Sequence, residues 1–183
     1  MYRSIGLYML KNGIDINDKD AVEKASEKAD VRLSYIDGTQ HVLLNGEDVS
    51  TQIREEEVGK AASVVSAYPQ VRKNLTALQK KLAETENVVM DGRDIGTCVL
   101  PDAFLKIYLT ASPEVRGNRR YLELVEKGEN PDLNEIIEDI RKRDQADMTR
   151  EISPLKKADD AVEIDSSEMT IDEVVKAIED RIS

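Results

Sequence analysis

After Asn87 the sequence alternates apolar runs too short to be helices with longer amphipathic segments that carry their own start and stop signals. Asn87 to Met90 and Leu105 to Leu109 are two such runs, each followed by turn or capping residues, and Ala161 to Ile164 is a third. Short runs of this kind suit strands buried on both faces of a parallel sheet. Between them Ser112 stands as an N-cap before Pro113 at the first helical position, Leu122 and Val125 continue the apolar pattern, and Gly128 ends it. Asp132 and Glu135 form a capping-box pattern for a helix carrying Leu133, Ile136, Ile137 and Ile140. Thr170 with Glu173 starts a last helix bearing Ile171, Val174, Val175 and Ile178. Strands alternating with capped helices define an α/β core.

The first half has another rhythm. Ile5, Leu7, Tyr8, Met9 and Leu10 lead to Asn12-Gly13, a helix ending on a left-handed glycine, but nothing ahead of it marks a helix start. Asn17 or Asp18 caps a second helix through Val22 and Ala25 to Ala29. Val31, Leu33 and Tyr35 then alternate with polar residues, Asp37-Gly38 supplies a tight turn, and His41 to Leu44 return as the second strand of a hairpin before Asn45-Gly46 turns the chain again. A helix is expected from about Glu55 to Ala67 and another opened by Pro69, on which Val71, Leu75, Leu78 and Leu82 form an apolar stripe. The hairpin reads as an insert on the α/β core. Without repeats or low-complexity linkers, 183 residues are expected to form one domain.

A formal net charge of -11 excludes a broad basic face for nucleic acid, so any anionic ligand must be met by a local cluster of arginines. No apolar run is long enough to span a bilayer, and we expect a cytoplasmic protein. The single Cys98 excludes an internal disulfide, and the single His41 excludes a multi-histidine metal site. Cys98 beside Val99 and Leu100 reads as a buried small hydrophobe, and His41 as structural.

Three constellations could carry chemistry. Asp91-Gly92-Arg93-Asp94-Ile95-Gly96-Thr97 follows an apolar run, where α/β proteins gather ligands. Its glycines would admit a close ligand, Arg93 offers a planar fork for phosphate, and Asp91 could orient a hydrated magnesium ion. A polar turn with an internal Arg–Asp pair fits the same residues. Arg143, Asp147 and Arg150 have one-face spacing on a helix and could grip a phosphate and a sugar hydroxyl together, or form a solvated stripe of weak ion pairs. Arg116, Arg119 and Arg120 follow Ser112; Arg116 and Arg120 share a face that suits a triphosphate, with solvated surface arginines the alternative.

Taken together, the run Asp91 to Thr97, Glu47-Asp48-Val49-Ser50 and Arg143-Asp144-Gln145-Ala146-Asp147 closely resemble the bacterial cytidylate kinases across all 183 residues. The resemblance implies a P-loop nucleoside-monophosphate kinase fold, with a parallel core of five strands, an acceptor-binding insert over about residues 14–68 and a lid over about residues 112–150. It implies transfer of the ATP γ-phosphoryl group to CMP or dCMP with Mg²⁺, by a protein that is a monomer when complete and has no nucleic-acid or membrane partner. Ser63, Arg72 and Asp94 match positions that contact cytosine; Arg3, Arg93 and Arg150 match those that hold the acceptor phosphate; Arg143 and Asp147 match those that address the ribose. Arg93, Arg150 and Asp91 are the expected catalytic set, and Arg116, Arg119 and Arg120 the expected ATP-binding one.

One departure stands out. The phosphate-loop pattern Gly-x-x-x-x-Gly-Lys-Ser/Thr occurs nowhere in the sequence, and Met1 aligns with a position inside a helix of the family. We expect a truncated chain, missing the first strands of the core and inactive alone. The alternatives are a non-catalytic remnant that binds CMP or a protein partner, and a kinase for another acceptor such as UMP or AMP.

Overall fold

A computed structural model describes residues 1–182, which divide after Val88 into two compact units. The first holds α1 (Tyr2–Lys11), α2 (Lys19–Ser26), β1 (Val31–Ile36), β2 (Thr39–Leu44), β3 (Glu47–Asp48), α3 (Glu56–Val65) and α4 (Pro69–Thr85). As its sequence anticipates, α1 has no side-chain cap at Met1 and ends at Asn12. Asp18 caps α2 by accepting from the Ala21 N–H, and the helix stops at Ser26, short of Ala29. β1 and β2 pair antiparallel from Val31↔Leu44 to Ile36↔Thr39, and β3 extends the ladder through Leu43↔Asp48. The hairpin turns at Asp37 and Gly38, with φ of 51° and 76°, a left-handed pair that sets the hairpin's twist.

The core of this unit draws Ile5, Leu7 and Met9 from α1, Val22 from α2, Val31 and Leu44 from the hairpin, Val58 and Val65 from α3, and Val71 and Leu75 from α4. Helix α1 crosses α3 at close range, because Gly6 faces Ala61 and Ala62. A Cβ on Gly6 would lie 2.9 Å from the Ala62 backbone nitrogen, an atom that yields only if the helix moves.

The second unit has the expected α/β order: β4 (Ile107–Thr110), α5 (Pro113–Glu126), α6 (Leu133–Thr149), β5 (Val162–Asp165) and α7 (Ile171–Glu179). β4 and β5 run parallel in the register Ile107↔Val162 to Thr110↔Asp165. Ser112 accepts from the Val115 N–H, Asp132 from the Asn134 and Glu135 N–H groups, and Thr170 with Glu173 completes a reciprocal capping box. The caps therefore act as the sequence suggests.

Three expectations require correction. Residues 87–90 form no strand: Val89 is fully exposed, and none of the described strands pairs with this run. A buried parallel strand needs ladder partners for its N–H and C=O groups, and a run without them stays in water. The apolar pattern on α5 also misleads, since Leu122 and Val125 are exposed whereas Gly117 and Leu124 are buried. Close packing of α6 decides this face: a Cβ on Gly117 would run into the Ile137 Cγ1. Cys98 is only half-buried, and its neighbour Val99 is the core residue.

Gly6→Val should destabilise the protein by about 1–3 kcal/mol through overpacking against the α3 backbone. Urea unfolding checks this, and an unchanged midpoint would mean that α1 shifts at no cost.

Candidate functional site

In the second unit, the run after Met90 is a turn followed by a single wide helical loop. Cys98 and Val99 both donate from their backbone N–H to the Asp94 carbonyl, at 2.9 and 3.3 Å, and Leu100 donates to Ile95 at 2.7 Å. Bonds spanning five residues are a π-type feature, common where a chain is shaped for function. The space beside its glycines is filled from within: Gly92 faces the Ile95 side chain, and Gly96 faces the stem of Lys106. Lys106, which the sequence did not single out, buries that stem and pairs with Asp160 at 2.6 Å.

This loop brings Asp94 and Arg93 to the end of α6. Asp147 is only 8% exposed and lies between two guanidiniums: Arg93 Nε donates to its Oδ2 at 2.9 Å, and Arg150 Nη1 reaches its Oδ1 at 3.5 Å. Arg150 Nη2 lies 3.7 Å from Oδ1 of Asp94, itself 6% exposed. Arg150 also donates from Nε to the Ser153 carbonyl at 2.6 Å, steadying a serine whose φ is 50°. Four of the expected residues thus form one cluster of alternating charge. Asp91 and Arg143 are exposed, Arg143 one turn back on α6.

The arginines of α5 do not form a shared, open anion face. Arg116 makes a two-pronged pair with Asp144, at 3.1 and 2.5 Å, and donates from Nε to the Ala111 carbonyl at 3.0 Å. The bonds to Asp144 raise the Arg116 pKa and outweigh its burial, which acts to lower it. Arg119 donates to the Ser166 and Met169 carbonyls, tying down the loop after β5, and Arg120 pairs with Glu123. Asp144 and the Ser166 loop were not singled out as partners, because residues 28 and 47 positions away leave no periodic trace.

The first unit holds Arg3, Ser63 and Arg72. Arg3 on α1 donates to the Ile53 carbonyl at 2.8 Å and lies over Gly59 of α3, where a Cβ would be 3.1 Å from Nη2. Ser63 is half-buried on α3. Arg72 on α4 is 3% exposed and donates to the Ser66 carbonyl at 2.9 Å. The run Glu47 to Ser50 closes the hairpin: Ser50 donates its hydroxyl and backbone N–H to Asp48 Oδ1 at 2.6 and 2.9 Å, while His41 Nδ1 faces Asp48 Oδ2 at 2.6 Å.

Among the described residues, no group of three or more His, Cys, Asp or Glu side chains is placed to hold a metal ion. None of the described helices is long and apolar enough to cross a membrane.

These features define an α/β protein with parallel strands, in which guanidiniums alternate with buried carboxylates around an irregular loop. The sequence model of the family described as Cytidylate kinase matches residues 1–183, and the chain belongs to that family of kinases. It is 47% identical to a cytidylate kinase of Caldicellulosiruptor bescii over 178 residues, covering 97% of this chain and 79% of that protein. Another from Shouchella clausii is 47% identical over 182 residues, covering 100% and 81%, and one from Bacillus licheniformis is 48% identical over 179 residues, covering 97% and 79%.

Asp147→Ala would leave Arg150 buried beside lost acceptors and should cost about 1–3 kcal/mol, read as a lower urea midpoint. An unaltered midpoint would show that the cluster adds nothing to the fold. The hydrogen bonds of Ser50, with a smaller part from His41, hold the Asp48 carboxyl down at about 2. A carboxyl depressed in the fold stabilises it above the unfolded value of about 3.9 and loses that contribution as pH falls through the folded one. Asp48→Asn should therefore flatten the dependence of the thermal midpoint on pH between about 4 and 2. Parallel wild-type and mutant curves would overturn that account.

Proposed function

We propose that this protein transfers the γ-phosphoryl group of ATP to CMP or dCMP, giving CDP or dCDP. The match to cytidylate kinases along nearly the whole chain carries this reading. In the reaction an acceptor phosphate oxygen attacks the γ-phosphorus, the bond to the β-phosphate oxygen breaks, and ADP leaves with its electron pair. Little covalent chemistry falls to the protein, so catalysis rests on positioning and charge stabilisation. Magnesium enters with ATP as part of the substrate, oriented through water by Asp91.

Arg93 and Arg150 serve the acceptor phosphate in this reading, as does Arg3. Their existing bonds support it, because guanidiniums already aligned by Asp147 and backbone carbonyls lose less freedom on meeting an anion. Arg143 and Asp147 address the ribose, a carboxylate being a natural acceptor for its hydroxyls. Ser63, Arg72 and Asp94 read cytosine, whose edge presents both donors and acceptors. Arg116, Arg119 and Arg120 serve ATP, with Arg116 exchanging part of its contact with Asp144 for phosphate. Residues 14–68 act as the acceptor insert and 112–150 as the lid of one domain, in a monomeric cytoplasmic enzyme of pyrimidine nucleotide metabolism.

Turnover further needs converging backbone N–H groups and a lysine for the β- and γ-phosphates, and residues 1–183 contain no Gly-x-x-x-x-Gly-Lys-Ser/Thr. Purified residues 1–183 should form no ADP above background with CMP, ATP and Mg²⁺. The same residues joined behind a family-type phosphate-loop segment should do so. Robust turnover by residues 1–183 alone would show that another element holds the triphosphate. In the active form, Arg93→Ala and Arg150→Ala should each lower kcat/KM for CMP by about 10- to 100-fold. Wild-type kinetics for both would remove them from the site.

A further inference from the structure

Arg72 combines deep burial with a charge it cannot shed, since a guanidinium stays protonated in proteins. Such a group needs fixed neighbours. One is the Ser66 carbonyl at the end of α3, which accepts from Nη1 at 2.9 Å. Another is the ring of Tyr2, in the first turn of α1: Arg72 Cζ lies 5.4 Å from the ring centroid, within range for a cation held over an aromatic face. Ser66 also donates its hydroxyl to the Ser63 carbonyl at 2.8 Å. Three helices therefore meet at one guanidinium: α1 by a ring face, α3 by a carbonyl, and α4 by the backbone that bears Arg72.

We propose that Tyr2 is a positioning residue that fixes the plane of Arg72 and so sets the preference for a cytosine-bearing over a uracil-bearing nucleotide. The inference rests on Arg72 reading the base. Cytosine presents ring N3 and O2 as acceptors beside an amino donor, whereas uracil carries N–H at ring position 3 and a carbonyl in place of the amine. A guanidinium N–H aimed at ring position 3 pairs with cytosine and confronts a donor in uracil. A buried donor facing a donor is strongly rejected, but only if the guanidinium cannot turn aside to a uracil carbonyl. The carbonyl of Ser66 fixes one nitrogen, and the face of Tyr2 limits rotation of the guanidinium about that bond. This role needs the ring and not the hydroxyl.

Calorimetric titration of residues 1–183 with CMP and with UMP tests the proposal without turnover. Tyr2→Leu should lower the preference for CMP over UMP by about three- to thirtyfold, and Tyr2→Phe should restore it. Circular dichroism establishes that each variant is folded; if Tyr2→Leu is not, Tyr2→Met removes the ring with an unbranched side chain that suits a helix. Adding Arg72→Lys to the ring-less variant should change the preference little, because the aligned fork is already lost. A folded, ring-less variant that keeps the wild-type preference overturns the proposal and leaves the kinase reading intact. CMP and UMP bound equally by the unaltered protein overturn it as well, and no CMP binding at all overturns both.

Discussion

The second unit is organised around a buried carboxylate. Asp147 sits on the last turn of α6, where the helix would otherwise fray, and two guanidiniums from outside the helix close on it. Its own backbone carbonyl accepts from Leu155 at 2.8 Å, so the chain leaving α6 folds back over the same residue. Through Arg93 the carboxylate reaches the irregular loop, and through Arg150 it reaches both Asp94 and the strained Ser153. Removing the carboxylate would take an acceptor from the buried Arg150, which costs more than a surface pair yields. An α6 terminus, a π-type loop and a left-handed serine therefore hold one another in place.

The first unit solves a related problem by different means. Two of its arginines rest against carbonyls, a glycine surface and an aromatic face: Arg3 against Ile53 and Gly59, Arg72 against Ser66 and Tyr2. The close α1–α3 crossing at Gly6 belongs to the same design, because it lets α1 lie near enough for Arg3 to reach α3.

Charge alone predicts little about which arginines are open to a ligand. Arg116 and Arg120 follow the same four-residue spacing that marks a shared helical face, yet Arg116 is taken by Asp144 and Arg120 by Glu123. Such pairing converts a basic stripe into a set of mutually neutralised groups. In a chain with a net charge of -11, acidic partners are abundant, so a free basic face is the exception.

The sequence by itself determined where four helices begin and where the hairpin turns, because caps at Asp18, Ser112, Asp132 and Thr170 and the Asp37-Gly38 turn act within a few residues of themselves. It also determined the family, through three short motifs whose combination is specific. Faces and partners were decided only by the tertiary structure. Leu122 and Val125 turn outward because α6 presses on Gly117; residues 87–90 fail as a strand because pairing needs a neighbour; and the partners of Arg93, Arg116 and Arg119 lie between 28 and 54 positions away. Capping and turn formation are local free-energy terms and leave a local signature. Burial and ion pairing depend on which surfaces meet, and no spacing along the chain records that.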